Sequence, residues 1–317
     1  MSAACLMLLL GLVLTVKGGD LFVDAAVWFA RALGVPTFLV GATLVSLATT
    51  LPELAVSLLA AARGASGIAA GNAVGSVAAN LGLILGISLS CAPVPLENRR
   101  EGGRLVMMAG AAGLLRLLCG GGAVALPWAL LPLGLCGGFL WRSAADGRRH
   151  TLAQAEKRSR PSPTLLTGCA LRFVFGGAAI AAGARLLCDY GAALARLCGV
   201  SDSVIGATLV AAGTSLPELV TALTALSRGE SSLSVGNIVG ANIIDLTLIL
   251  PLCALQGGGR LCLPPQTLAL DMPFCLMLCA VAVVPTLWTG RFHRWQGAAL
   301  LGMYGGYAAM VIGGSNF

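Results

Sequence analysis

Charge is scarce in this sequence: only 10% of the 317 residues are Asp, Glu, Lys or Arg, whereas 57% are hydrophobic. A soluble globular domain carries about 25% charged residues. The mean hydropathy is +0.89, and so little polar surface cannot cover a folded chain of this length in water. The composition excludes a soluble protein and predicts a polytopic membrane protein.

Motifs for catalysis and for soft metals are also missing. The chain has two histidines, and its 11 cysteines form no CxxC pair, so they do not build a zinc or redox framework. The HExxH and GxSxG motifs of hydrolases are absent. We therefore expect neither an enzyme nor a bound cofactor.

Long hydrophobic runs are abundant, and about 20 residues in a helix cross a bilayer. Backbone polar groups in the bilayer must find partners within their own segment, so the spans are expected to be helices. We place ten, at roughly residues 3–30, 36–62, 66–90, 103–119, 123–142, 164–195, 203–227, 232–255, 268–288 and 294–314.

Residues 41–85 recur without a gap as residues 206–250: after a shift of 165 positions, 23 of the 45 residues are identical. Each copy lies among five predicted spans. Because five is odd, the second copy must cross the membrane in the opposite direction, as in many secondary transporters. The predicted fold class is an all-α polytopic membrane protein with two inverted five-helix repeats, at 1–141 and 164–317.

The polar stretch 142–163 separates the two repeats. Its basic residues outnumber its acidic ones, and short loops rich in arginine stay on the cytoplasmic side. We expect a basic cytoplasmic linker at 142–163, with both termini outside a cell inner membrane. The net charge of +7 then reflects topology, so the bilayer is a predicted partner and nucleic acid is not. The sequence does not indicate an oligomeric state.

Each copy places a glutamate directly after a proline inside an apolar run: Glu53 in LATTLPELAVS and Glu218 in AAGTSLPELVTAL. A carboxylate in hydrocarbon is costly and by default marks a functional site. Pro52 and Pro217 have no N–H for the preceding turn, so each breaks its helix and frees backbone carbonyls beside the glutamate. A proline that only kinks a helix needs no charge next to it.

Further oxygen atoms surround both breaks. Thr49 lies one turn before Glu53, and Thr214 lies one turn before Glu218. Hydroxyls, carbonyls and carboxylates form an all-oxygen donor set that suits hard cations, and calcium takes about 6 to 8 such ligands. We therefore predict an ion site at the interface between the repeats.

The next predicted helix of each copy carries a stripe at four-residue spacing. Its members are Asn72, Ser76 and Asn80 in the first copy and Asn237, Ala241 and Asp245 in the second. Glycines precede two members of each stripe, at positions 71, 75, 236 and 240, and small residues allow close approach between helices. We expect the stripes to form a second wall of ligands against the glutamates.

The segments GATLVSLATTLPELAVS with GNAVGSVAAN, and GATLVAAGTSLPELV with GNIVGANIID, resemble the two repeat signatures of the cation/calcium exchanger superfamily. The resemblance covers nearly the whole chain and is closest to the compact prokaryotic sodium/calcium exchangers. It implies an antiporter that exchanges calcium for sodium by alternating access. It also implies that the first and sixth helices slide against a core bundle.

The resemblance further implies the ion ligands. Glu53 and Glu218 would be the central carboxylates, shared between calcium and sodium. The other implied ligands, through backbone or side-chain oxygens, are Ser46, Thr49, Thr50, Ser76, Asn80, Ala211, Thr214, Ser215 and Asp245.

Two positions depart from the family pattern. Thr50 replaces the usual serine and keeps a hydroxyl, whereas Ala241, the counterpart of Ser76, cannot give a side-chain oxygen to a sodium site. A proton/calcium antiporter, or one for another divalent cation, is therefore the alternative; in it, protonation of Glu53, Glu218 or Asp245 replaces sodium. A cation channel and an intramembrane hydrolase that uses the two glutamates are remote alternatives.

Overall fold

The computed structural model describes residues 2–96, 99–154, 162–197 and 211–314. In the first half, α1 is Ser2–Leu33, α2 Thr37–Thr49, α3 Leu51–Ala62, α4 Ser66–Cys91, α5 Arg99–Gly121 and α6 Leu126–Gln154. In the second half, α7 is Pro163–Leu197, α8 Ala211–Thr214, α9 Leu216–Ser227, α10 Ser231–Gln256, α11 Thr267–Thr289 and α12 Arg294–Gly314. Two short strands, β1 (Ala123–Ala125) and β2 (Arg260–Cys262), lie between helices.

Within these ranges, six continuous helices are long and apolar enough to cross a membrane: α1, α4, α5, α7, α10 and α11. The pair α2 and α3, bent by 42°, meets the same criterion as one broken span. The chain is therefore a predominantly helical, multi-pass membrane protein. The other predicted spans fall on α6, α9 and α12, which length and composition alone do not identify as spans, so the total of ten remains a prediction.

α1 and α7 cross through a backbone contact that is symmetric under the shift of 165 residues. A Cβ atom at Gly11 would lie 3.0 Å from the carbonyl oxygen of Gly183, and one at Gly18 would lie 2.9 Å from that of Gly176. Gly176 is the repeat equivalent of Gly11, and Gly183 is that of Gly18. The two glycine contacts are therefore equivalent to each other under the repeat. The later residue of α1 meets the earlier residue of α7, so the two helices run antiparallel, as the first helices of inverted repeats would.

The connections between helices meet in two groups. At the strand end of the bundle, β1 pairs antiparallel with β2. At the opposite end, which we call the linker end, the N–H of Leu96 donates to the carbonyl of Gly290 at 2.9 Å, and Arg31 pairs with Glu230 at 3.0 Å. α5 and α11 each run from one group to the other. Each of these contacts joins two segments that the predicted topology places on the same side of the membrane.

The stretch predicted as a linker, 142–163, is largely helical, because α6 continues to Gln154. Asp146, in this stretch, is buried and accepts from Arg104 at 2.9 Å and from Arg100 at 3.1 Å. These ion pairs hold the charged end of α6 against the start of α5, so the helix does not end where the charges begin. The non-helical connection is correspondingly shorter, and residues 155–161 lie outside the described residues.

α10 packs against α2 with no room for side chains at two positions. A Cβ atom at Gly236 would clash with the carbonyl oxygen of Phe38, and one at Gly240 with that of Ala42. The predicted close approach is thus present in the second copy. For the glycines at 71 and 75, the repeat-equivalent neighbours are residues 203 and 207, which lie outside the described residues.

The sidedness of the two ends can be tested by thiol labelling in intact cells. Single cysteines replace Ser2, Leu152 and Asn316 in an otherwise cysteine-free chain, and a membrane-impermeant reagent is added outside. Because the arginine-rich linker end is expected in the cytoplasm, positions 2 and 316 should react while position 152 should react only after permeabilisation. Labelling of position 152 in intact cells, with both termini protected, would reverse the orientation.

Candidate ion site

Both predicted helix breaks are present, and their backbone geometries match. Thr50, between α2 and α3, has φ −80° and ψ −8°, and Ser215, between α8 and α9, has φ −88° and ψ 5°. Pro52 and Pro217 lie in the first turn of the following helix, where a backbone N–H is not needed. The same local sequence therefore gives the same break twice.

The breaks direct a glutamate from each copy into the interior, where Glu53 and Glu218 are each 1% exposed. The two carboxylates lie close enough to interact, and Glu53 also lies within electrostatic range of Asp245. The carboxylate of Glu218 lies beside Thr49 and Thr50, both of which belong to the first copy. Carboxylates from the two copies thus share one site.

The stripes of α4 and α10 close the site from the other side. Asn80 Nδ2 donates to Asp245 Oδ2 at 3.5 Å, and these residues are repeat equivalents of one another. Each lies in or at the start of a π-helical segment, Ala79–Leu85 in α4 and Asp245–Ile249 in α10. Such segments often occur at functional sites. Ser76, one turn before Asn80, is buried in the same wall.

The cluster holds more acceptor oxygens than hydrogen-bond donors. Among the described residues, the buried side-chain oxygens without a hydrogen-bond partner include Thr50 Oγ1, Glu53 Oε1 and Oε2, Ser76 Oγ, Asn80 Oδ1, Ser215 Oγ, Glu218 Oε2 and Asp245 Oδ1. A buried acceptor without a partner costs about 1–3 kcal/mol, and a charged one costs more. A hard cation satisfies several such oxygens at once, so this donor set fits calcium and sodium.

The carboxylates alone would not make a metal centre. Across the part of the chain that the structure describes, no group of three or more His, Cys, Asp and Glu side chains is arranged to hold a metal ion. The hydroxyl and amide oxygens must therefore complete any coordination shell.

The remaining predicted ligands are Ser46, Thr214 and Ala211. Ser46 is buried, but its hydroxyl donates to the carbonyl of Thr43 at 3.2 Å and its own carbonyl accepts from the N–H of Thr50 at 3.0 Å. Thr214 ends α8 and is partly exposed, and Ala211 begins that helix. The roles of all the predicted ligands remain predictions.

Two asparagines of the stripes, which the family resemblance does not include among the ion ligands, support the broken helices. Asn72 Nδ2 donates to the carbonyl of Glu53 at 3.2 Å and to Ser57 Oγ at 2.9 Å. Asn237 Oδ1 accepts from Thr49 Oγ1 at 3.3 Å. Both asparagines belong to the predicted stripes, but four-residue spacing cannot distinguish an ion ligand from a residue that supports the neighbouring helix.

A cavity of about 1020 Å³ lies between α3 and α7 and reaches the break before α9. Its lining includes Pro52, Leu59 and Asp189, and, at its inner limit, Thr214 and Pro217. Pro217 directly precedes Glu218, so the cavity ends next to the site. α4, which follows α3, begins near the strand end, where a Cβ atom at Gly67 would lie 3.3 Å from Pro264. The cavity therefore leads from the strand end toward the carboxylates.

A family model described as "Sodium/calcium exchanger protein" matches residues 3–144 and 169–313. This chain belongs to the sodium/calcium exchanger family. Sodium/calcium exchanger MaX1 of Methanosarcina acetivorans is 32% identical, over 97% of this chain and 98% of its own length. An uncharacterized membrane protein of Methanocaldococcus jannaschii is 31% identical, over 93% and 94% of the two chains. Because the family consists of transporters, the prediction that the chain is not an enzyme is confirmed.

A solved structure of the sodium-calcium exchanger NCX_Mj, soaked with 10 mM Na+ and zero Ca2+, superposes on the chain with a TM-score of 0.84 at 28% identity. The match covers 95% of this chain and 96% of that chain. The similarity to a family exchanger therefore extends over both copies, including the α1 and α7 pair, and is not confined to the two signature segments.

The two central glutamates can be tested by removing one charge at a time. Glu53→Gln and Glu218→Gln should each reduce calcium exchange to near background, because each removes a carboxylate that the bound ion requires, while insertion and folding are retained. Exchange in proteoliposomes and the elution profile in detergent measure the two properties. Glu156→Gln, which changes a carboxylate in the polar sequence 142–163 between the two repeats, is the matched control and should exchange normally. Parental rates in both site variants would show that the site is wrong.

Proposed function

We propose that this chain is a secondary active antiporter that exchanges calcium for sodium across the membrane by alternating access. The observation that carries the proposal is the set of buried oxygens without partners, contributed by α4, α10 and both helix breaks. Membership of the exchanger family and the 32% identity to sodium/calcium exchanger MaX1 support these two ions as the substrates.

Competition for one cluster of oxygens explains why the two fluxes are coupled. Glu53, Glu218 and Asp245 repel one another, and their repulsion is strong in a medium of low dielectric constant. One calcium ion or several sodium ions neutralise this charge, whereas the bare cluster is costly to enclose in the bundle. Only the loaded site then changes its access from one side to the other.

The proposed ligands are divided between the two copies. Glu53 and Glu218 hold the central positions for both ions, and Asn80 with Asp245 completes the middle of the cluster. Hydroxyls of Thr50, Ser76 and Ser215, oxygens of Thr49 and Thr214, and the backbone carbonyls of Ser46 and Ala211 supply the remaining contacts, chiefly to sodium.

The proposed architecture has ten spans in two inverted repeats, residues 1–141 with motif 41–85 and residues 164–317 with motif 206–250. The antiparallel crossing of α1 and α7 and the grouping of connections at two ends support it. The linker end faces the cytoplasm of a cell inner membrane, and both termini lie outside.

A proton/calcium antiporter is the second candidate, and Ala241 favours it. Ala241 is fully buried, and it lies where the first copy has the hydroxyl of Ser76. The second copy thus lacks one oxygen for a flanking sodium ion. A proton that binds a carboxylate needs no such ligand.

Calcium-45 uptake into proteoliposomes distinguishes these candidates. Outward gradients of sodium, potassium or protons are applied one at a time, and the sodium gradient should drive uptake above the level without a gradient. Uptake that follows the proton gradient with sodium absent identifies the second candidate. Calcium flux without counterflow identifies a channel and contradicts antiport.

Ala241→Ser tests the missing ligand. Restoring the oxygen should raise the apparent sodium affinity, or the cooperativity of sodium-driven exchange, and leave calcium affinity nearly unchanged. An effect of about 1 kcal/mol, the size of a hydrogen bond, corresponds to a several-fold shift. Ala73→Ser, another buried alanine one residue away from the stripe of α4, is the control. No sodium-dependent change, in a variant that folds, would mean that Ala241 does not face a sodium site or that sodium is not the coupling ion.

A further inference from the structure

An ion-pair cluster joins α1 to the core at the linker end. Arg228, in the turn between α9 and α10, donates to Asp24 Oδ1 at 2.6 Å and to Asp20 Oδ1 at 2.8 Å. Beneath these pairs, α1 packs directly on α9: a Cβ atom at Gly19 would lie 3.1 Å from Val220 Cγ1. Ala225, also in this interface, is fully buried. This end of the α1–α9 interface is closed.

The first copy presents an arginine at the strand end in the same backbone geometry. Arg63 is the repeat equivalent of Arg228, and the backbone angles are φ −90° and ψ 5° at Arg63 and φ −89° and ψ 0° at Arg228. The next residue is Gly64 in one turn and Gly229 in the other, with φ of 75° and 73°. The backbone N–H of each arginine also donates to equivalent carbonyls of the preceding helix.

The acidic partner is present as well, but the interface at the strand end is open. Asp189 of α7 is the repeat equivalent of Asp24. Its side chain is 64% exposed, and it lies 3.7 Å from Arg185, one turn earlier. The 1020 Å³ cavity separates this part of α7 from α3, at the place where the equivalent helices α1 and α9 are in contact.

Exposure at the ion site follows the same asymmetry. Thr49 and Asn237 are buried and bonded to each other. Their repeat equivalents, Thr214 and Asn72, are partly exposed. Two equivalent interfaces therefore differ: the one between α1 and α9 is closed, and the one between α7 and α3 is open.

We infer that Arg63 and Asp189 are positioning residues of the exchange cycle: they pair when the cavity at the strand end closes, as Arg228 separates from Asp20 and Asp24 at the linker end. The inference rests on the proposed alternating-access function and on the inverted repeat. Its geometric basis is twofold. The turns at Arg63 and Arg228 have the same backbone geometry, and the interface that is closed between α1 and α9 is open between α7 and α3.

The two ion-pair clusters are not equal in charge. The linker end has two carboxylates for Arg228, whereas the strand end has one for Arg63, because Arg185 stands at the position equivalent to Asp20. Arg185 repels Arg63 and competes with it for Asp189. The closed form of the strand end is therefore the less stable one, and the open form is the resting state.

The experiment measures how accessible each interface is, independently of ion flux. The cysteine-free chain is purified in detergent, so that a hydrophilic thiol reagent reaches both ends. Ala55→Cys in the cavity wall then reports opening of the strand end, and Ala225→Cys reports opening of the linker end. Arg63→Gln and Asp189→Asn should slow labelling at position 225, and Arg228→Gln should hasten it, each by about two- to five-fold, the range for an exposed ion pair. Arg185→Asp should slow labelling at position 55, because it supplies the second carboxylate.

The charge exchange Arg63→Asp with Asp189→Arg provides the decisive comparison. It should bring labelling at position 225 back toward the parental rate, which neither single substitution does. Arg260→Gln, at an exposed arginine of β2, is the control and should change neither rate. Unaltered labelling in Arg63→Gln and Asp189→Asn, or a double variant no better than the single ones, would overturn the inference. If the labelling shifts appear but sodium drives no calcium uptake, the proposed function fails and the ion pair stands.

Discussion

The burial of like charges in a membrane-embedded bundle is the constraint on which the rest of this structure depends. Glu53, Glu218 and Asp245 are each 1% exposed, and an ionised carboxylate removed from water needs compensation by opposite charge. No arginine or lysine among the described residues forms an ion pair with any of the three. In the proposed function, mobile cations, or protons in the second candidate, supply this compensation, and the hydroxyls and amides around the helix breaks act as ligands.

Each copy of the repeat supplies half of this cluster from the same local sequence pattern, a helix break followed by a glutamate. Thr50 with Glu53 and Ser215 with Glu218 are equivalent pairs at equivalent breaks. Where the copies differ, the differences have physical consequences. Asn80 donates an amide hydrogen to its own equivalent, Asp245, which two ionised aspartates could not do. Ser57, which Asn72 contacts, is alanine in the second copy at position 222.

Features that depend on a few neighbouring residues could be predicted from the sequence. A proline lacks an N–H wherever it lies, so both helix breaks followed from Pro52 and Pro217, and the buried positions of Glu53 and Glu218 followed from the apolar runs around them. Features that depend on distant partners could not. The charges after residue 142 indicated a loop, because nothing near Asp146 in the sequence shows that Arg100 and Arg104 will pair with it. The π-helical segments at Asn80 and Asp245 have no comparable local signal.

The glycine contact between α1 and α7 has a consequence for leakage. The two helices touch backbone to backbone at two places, Gly11 with Gly183 and Gly18 with Gly176, and the ring of Phe22 stacks on that of Phe173 at 4.3 Å. We expect helices joined in this way to move together. α1 seals the linker end against α9, and α7 borders the strand-end cavity, so a shift that opens one end carries the other helix toward closure. A continuous aqueous path through the protein would require α1 and α7 to separate. Their contact therefore prevents both ions from leaking down their transmembrane gradients through the protein.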